Sequence, residues 1–146
     1  MRIRHPWALR GMTSEGFTLL ELLVVLVILG LLAAVATPQV MSYLDRGRVQ
    51  SAGIQIHSLG AALDLYRLDI GRYPSEQEGL QSLVEAPVGA KSWNGPYVKK
   101  REMLDDPWGR PYKYRYPGKH GAYDLFTLGA DDAAGGESEN QDVTTW

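Results

Sequence analysis

The sequence predicts an α+β fold: a long N-terminal helix whose C-terminal half packs on a small antiparallel β-sheet head. Three observations carry this. Residues 17–36, FTLLELLVVLVILGLLAAVA, form an apolar run with a single charge. Val49, Ala52, Ile56, Leu59, Leu63, Tyr66 and Ile70 then recur at alternating steps of three and four, which draws one apolar stripe along a helix. After residue 71, alternating Tyr-rich runs and Pro/Gly turns replace helical periodicity.

The apolar run is long enough to cross a bilayer as a helix. Arg2, Arg4 and Arg10 precede it, and the next basic residue is Arg46. That asymmetry places residues 1–16 in the cytoplasm and the bulk outside. Two processing routes fit. In one, the run is a secretory h-region cut after Ala34-Val35-Ala36, so the product starts at Thr37. In the other, the cut falls between Gly16 and Phe17 and the helix is kept. Glu21 favours the second route. A carboxylate in the middle of a bilayer costs roughly 2.5–3.5 kcal/mol, which a discarded segment has no reason to carry. A retained helix can pair it with the new α-amine of Phe17 on a neighbouring copy. A Glu21 that snorkels to water accounts for the charge equally well on physics alone.

Residues 39–71 continue the helix as an amphipathic segment. Pro38 predicts a kink or local melting, and Gly71 with Pro74 predicts the stop. The head then spans 72–146. Ser75-Glu76-Gln77-Glu78 has the form of a capping box and predicts a short helix over 76–85. Tyr112, Tyr114 and Tyr116 alternate, Pro117-Gly118 turns the chain, and Tyr123, Leu125 and Thr127 alternate on the return, which predicts a hairpin. The tyrosines read as packing, and so does the helical stripe.

Several function classes drop out on composition. There is no Cys, hence no disulfide, thiolate site or cysteine nucleophile. Setting aside the leader's three arginines and Glu15 leaves 12 basic and 16 acidic residues, a balance that gives no support to nucleic-acid binding. His5, His57 and His120 are scattered. With no nucleophile elbow, paired histidines or phosphate loop, no enzyme is expected. A head of 75 residues without disulfides needs some other staple.

Residues 121–146 contain no Lys or Arg but hold Asp124, Asp131, Asp132, Glu137, Glu139 and Asp142, with Ser138, Asn140 and Gly135-Gly136 among them. This oxygen-rich stretch suits a hard cation such as calcium, although it lacks the spacing of an EF-hand. A solvated acidic tail is the competing reading. Val143 and Trp146 argue against it, because a free tail has no need of apolar groups.

Gly16-Phe17-Thr18-Leu19-Leu20-Glu21 resembles the prepilin peptidase motif shared by type IV pilins and type II secretion pseudopilins. Gly16, Phe17 and Glu21 match its three key positions. The resemblance implies cleavage between Gly16 and Phe17, N-methylation of Phe17, and a role for Glu21 in assembly. Further along, Gly71-Arg72-Tyr73-Pro74-Ser75, Gly79-Leu80, Trp93-x-Gly95-Pro96-Tyr97, Asp106-Pro107-Trp108-Gly109, Tyr123-Asp124-Leu125, Leu128-Gly129-Ala130-Asp131, Asp142-Val143 and Trp146 resemble the major pseudopilins of bacterial type II secretion. The likeness runs from Gly16 to the end. It implies a type IV pilin-like fold and a periplasmic pseudopilus built by homopolymerisation, which helps export folded proteins. The implied partners are minor pseudopilins, an inner-membrane assembly platform, prepilin peptidase, and membrane lipid before assembly. The implied place is the inner membrane, single-pass, with the head in the periplasm. The implied cofactor is calcium, held by Asp131, Asp142 and the Leu128 carbonyl. The loop adds Ser138, or Glu137 and Glu139, as further oxygens. The family commonly has Asp-Gly where this chain has Asp131-Asp132, and the segment 133–141 varies in length. A type IV pilin for adhesion, motility or DNA uptake is the alternative. The head motifs weigh against it, and the missing Cys separates this chain from the many such pilins whose head loop is closed by a disulfide.

Overall fold

The computed structural model describes residues 16–146; the expected leader, residues 1–16, lies outside them except for Gly16. One long helix comes first, α1 at Leu19–Ile70. A three-stranded antiparallel sheet follows, with β1 at Lys113–Arg115, β2 at Asp124–Thr127 and β3 at Val143–Thr144, in the order β1-β2-β3. Short 3-10 turns occupy Leu80–Leu83, Arg101–Leu104 and Ser138–Asn140.

The helix starts two residues after Phe17 because Thr18 caps it. The Glu21 N–H donates to Thr18 Oγ1 at 3.1 Å, and the Leu22 N–H opens the helical ladder on the Thr18 carbonyl at 3.1 Å. Thr18 and Glu21 have the spacing of a capping box. The helix stops where expected. Gly71 takes φ +86°, and its N–H donates to the Arg67 carbonyl at 2.8 Å.

The described residues divide after Gln39 into two units, the second being Val40–Trp146. In the first, the helix is apolar on all sides. Fourteen large apolar side chains from Phe17 to Val35 stand exposed. At about 1.5–3 kcal/mol for burying each, they hold roughly 20–40 kcal/mol of unrealised burial, so this surface needs lipid or protein around it. The segment is long and apolar enough to cross a membrane.

The second unit holds the whole buried core. Ala52, Ile56, Leu59, Leu63 and Tyr66 of the stripe are buried; Val49 and Ile70 lie half-buried at its ends. Leu80, Leu83, Val98, Leu104, Tyr112 and Leu125 pack against the stripe. The hairpin forms in the expected place, with Tyr114 opposite Leu125. The strand β3 was not expected. It pairs Val143 with Thr127 and Thr144 with Phe126, so these two residues complete the sheet.

Tyrosine hydroxyls provide the missing staple. Tyr112 donates to Gln55 Oε1 at 2.7 Å, Tyr73 to Asp64 Oδ1 at 2.8 Å and Tyr97 to Asp69 Oδ2 at 2.7 Å. Each ties the head to α1. At about 1 kcal/mol or somewhat more apiece, the three together reach the order of one disulfide.

The expected helix over 76–85 is corrected by the structure. The capping box is complete, with Glu78 N–H on Ser75 Oγ at 3.2 Å and Ser75 N–H on Glu78 Oε2 at 2.7 Å. Gly79 then turns to φ +56°, so only a turn and the 3-10 segment Leu80–Leu83 form. Glu78 also takes both guanidinium nitrogens of Arg72, at 2.6 and 2.7 Å. The bidentate Arg72 pairing and the Ser75 N–H outweigh burial and hold the Glu78 carboxyl down at about 2, against 4.5 ordinarily. A depressed carboxylate stabilises fully above its unfolded value and loses that contribution as pH falls from 4.5 towards 2. Glu78→Gln is therefore expected to cost about 1 kcal/mol at neutral pH, on the order of 5 °C in Tm. It should also flatten the Tm decline across that acid range. Thermal melts at stepped pH check both.

Candidate functional site

Two regions carry chemistry. At the N-terminal one, Gly16 and Phe17 precede the helix and are exposed. Glu21 sits in the first turn of α1, where the helix dipole favours a negative charge. Its backbone N–H is satisfied by Thr18, and its side chain is exposed. Among the described residues, no cation reaches its carboxylate. Residues 17–35 around it carry only apolar or small groups and Thr18.

The second region is the acidic loop between β2 and β3. Glycine makes its closure possible. Gly129 takes φ +69°, and a Cβ there would lie 2.6 Å from the Asn140 carbonyl carbon. Gly136 takes φ +93°, and a Cβ there would meet the Asn140 oxygen at 2.5 Å. The Ala130 N–H donates to the Glu139 carbonyl at 2.9 Å and shuts the loop. Inside it, Asp131 Oδ1 accepts the Ala133 N–H at 3.1 Å and Asp142 Oδ2 accepts the Gly135 N–H at 2.9 Å. Continuing the Thr127–Val143 register by one residue sets Leu128 opposite Asp142. Ser138 begins the 3-10 turn with φ +55°. Asp142 Oδ1 is buried with no hydrogen-bond partner. A buried, unpaired carboxylate oxygen is costly, and it is what a hard cation would satisfy. The donor set is all oxygen. Among the described residues, no three His, Cys, Asp or Glu side chains converge, so a metal here would draw on carbonyls as well as carboxylates.

No sequence pattern announces how this loop is anchored. Asp106 is buried and accepts the N–H groups of Trp108 and Arg110 at 3.0 and 2.9 Å, and the hydroxyl of Thr127 on β2. Arg110 points its guanidinium into the loop. Nη1 donates to the Ala130 carbonyl at 3.1 Å, and Nη2 donates to that of Gly129. Lys113 Nζ lies 2.9 Å from Asp132 Oδ1 and holds that carboxyl below its usual range, with Arg110 adding to the effect.

Asp124 does not belong with the loop oxygens. It lies fully buried on β2 and accepts the Lys119 and His120 N–H groups at 2.9 and 3.0 Å. Burial alone would raise its carboxyl, but these N–H groups and the His120 ring hold it below the usual value. Trp146 leaves the loop too and stacks on His120, with centroids 4.0 Å apart.

Comparison with known proteins covers both parts of the chain. Residues 39–146 match the family model for type II secretion system protein G. The chain belongs to the type II secretion protein G family. Residues 11–37 match the prokaryotic N-terminal methylation motif. The type II secretion system core protein G of Pseudomonas aeruginosa is 49% identical over 137 residues, covering 91% of this chain and 95% of its own. Its counterpart in Vibrio cholerae is 42% identical over 136 residues, covering 91% and 92%. The crystal structure of the major pseudopilin from the type 2 secretion system of enterohaemorrhagic Escherichia coli superposes with a TM-score of 0.60 at 30% identity. That match covers 73% of this chain and 92% of the other. As a protein G, the chain is a structural subunit of a type II secretion pseudopilus, and the type IV pilin alternative falls away. The helix-and-sheet head expected from the sequence is the fold of that pseudopilin.

Proposed function

We propose that the chain is cut between Gly16 and Phe17 and N-methylated on Phe17. It then waits in the bacterial inner membrane with its head in the periplasm and polymerises through the apolar half of α1 into a pseudopilus that helps export folded proteins. The observation that carries this is the exposed, all-round apolar helix with one unpaired acid in its first turn. Lipid covers that surface in the monomer, and neighbouring helices cover it in the filament. Glu21 pairs with the Phe17 amine of the next copy and fixes the axial register. The prepilin peptidase, the inner-membrane platform and the minor pseudopilins are separate partners. Co-expression with these partners tests the proposal: filaments of processed chain are expected on shearing, and a chain that stays monomeric in the membrane would contradict it.

Calcium is the cofactor this reading assigns to the acidic loop. Asp142 Oδ1, the Asp131 carboxylate, the Leu128 carbonyl and Ser138 are the donors, and the partnerless oxygen of Asp142 supports the assignment. The ion would supply positive charge that closes the loop. Calcium at a hundredfold over its Kd would add about 2.7 kcal/mol, a Tm rise on the order of 10 °C for a unit of this size. Thermal melts of the detergent-solubilised chain check it. Chelator should reverse the rise and Asp142→Asn should abolish it.

A further inference from the structure

The acidic loop carries its own countercharge problem. Residues 128–142, between β2 and β3, hold five carboxylates and no Lys or Arg, yet the loop closes on itself. Two cations from elsewhere in the head reach it, and both come from one short stretch of chain. Arg110 is anchored from below. Its backbone N–H is held by buried Asp106 at 2.9 Å, and its Nε lies 3.9 Å from the other oxygen of that carboxylate. Thr127 binds the same carboxylate from β2. The guanidinium, about one-third exposed, then spans two successive carbonyls, Gly129 and Ala130. A planar fork of fixed donors suits this task, and a lysine has no equivalent geometry. Lys113, on β1, takes the second acid beyond those carbonyls, Asp132. Asp132 is a non-glycine residue at φ +53°, a conformation that needs something to hold it.

We propose that Arg110 and Lys113 are the loop's resident cations, positioning residues that keep residues 129–132 ordered without metal. Calcium then has a narrower task. It joins the Leu128 carbonyl and the Asp131 carboxylate, both next to or within the braced stretch, to the second half of the loop, where Asp142 Oδ1 lacks a partner. This division of labour rests on the calcium reading, whereas the brace does not. In the metal-free head the first half of the loop stays closed and the second half opens.

Hydrogen exchange on the full chain in detergent, with and without calcium, tests the proposal. In chelator, amides 129–134 of the parent chain are expected to exchange at least tenfold more slowly than amides 135–139. Arg110→Gln should speed exchange at 129–134 tenfold or more while leaving the α1 core at 52–66 unchanged. Lys113→Gln, which touches no core group, should speed 131–133 a few-fold. Arg110→Lys should recover only part of the protection. Open-chain exchange at 129–134 in the chelated parent, or unaltered exchange there in Arg110→Gln, would overturn the brace. If Arg110→Gln also loosens 52–66, Lys113→Gln decides: unaltered exchange at 131–133 counts against the brace. Should calcium slow no amide in any chain, the calcium reading fails, and the chelator arm still judges the brace.

Discussion

Glu21→Val is expected to be processed and membrane-inserted normally, yet to yield at least tenfold fewer sheared filaments. The substitution removes the only charged side chain from the apolar segment 17–36, so insertion becomes easier, by less than the roughly 2.5–3.5 kcal/mol of a charge at the bilayer centre. Assembly moves the other way. In the filament, each Phe17 amine that met a carboxylate would be buried among apolar helices without one. Breaking a buried pair by removing one partner costs about 3–5 kcal/mol. On the proposed pairing every subunit would make this contact, so the loss would repeat along the filament. The first-turn position also matters: the carboxylate gains from the helix dipole where it stands, and Thr18 fixes the backbone there. Immunoblots for processing and filament yield after shearing separate the two effects. Wild-type yields from Glu21→Val would leave snorkelling as the account of this residue.

Gly129→Val has the largest expected effect on the head. Its φ of +69° disfavours any L side chain, by about 1–2 kcal/mol. The added Cβ would also sit 2.6 Å from the Asn140 carbonyl carbon, which is backbone and has little freedom to move. Forced overlap in packed surroundings adds about 1–3 kcal/mol. The Ala130–Glu139 closure and the Arg110 grip on the Gly129 carbonyl lie on either side of the clash. A total loss of about 2–5 kcal/mol is expected, read as a lower urea midpoint with unchanged slope. The calcium-dependent rise in Tm should disappear with it. Gly135→Ala is the internal control, because a Cβ there meets nothing within 4 Å and only the backbone cost applies.

The parts legible in the sequence are those set by local rules. The stripe from Val49 to Ile70 forecast the buried face of α1 because helical period is a nearest-neighbour property. Ser75 and Glu78 forecast their capping box for the same reason. Gly79 was visible, but its turn to φ +56° depends on what Leu80 and Leu83 pack against, so the helix expected over 76–85 did not form. The strand β3 is two residues long and lies in a polar stretch, with a partner 16 positions away, so no periodicity announces it. Arg110 is similarly hidden. Its contacts lie 19 and 20 residues along the chain, and only folding brings them together. Asp124 and Asp142 read alike as loop acids. Burial separates them, making one a structural acceptor and leaving the other with an unfilled oxygen.

The most direct test of the account is the mass of the mature N-terminus, measured on protein recovered from the membrane of a cell that has prepilin peptidase. A chain beginning at N-methylated Phe17, with α1 retained, is the predicted result. A chain beginning at Thr37 would contradict it, because the apolar segment that builds the filament would have been discarded as a signal peptide.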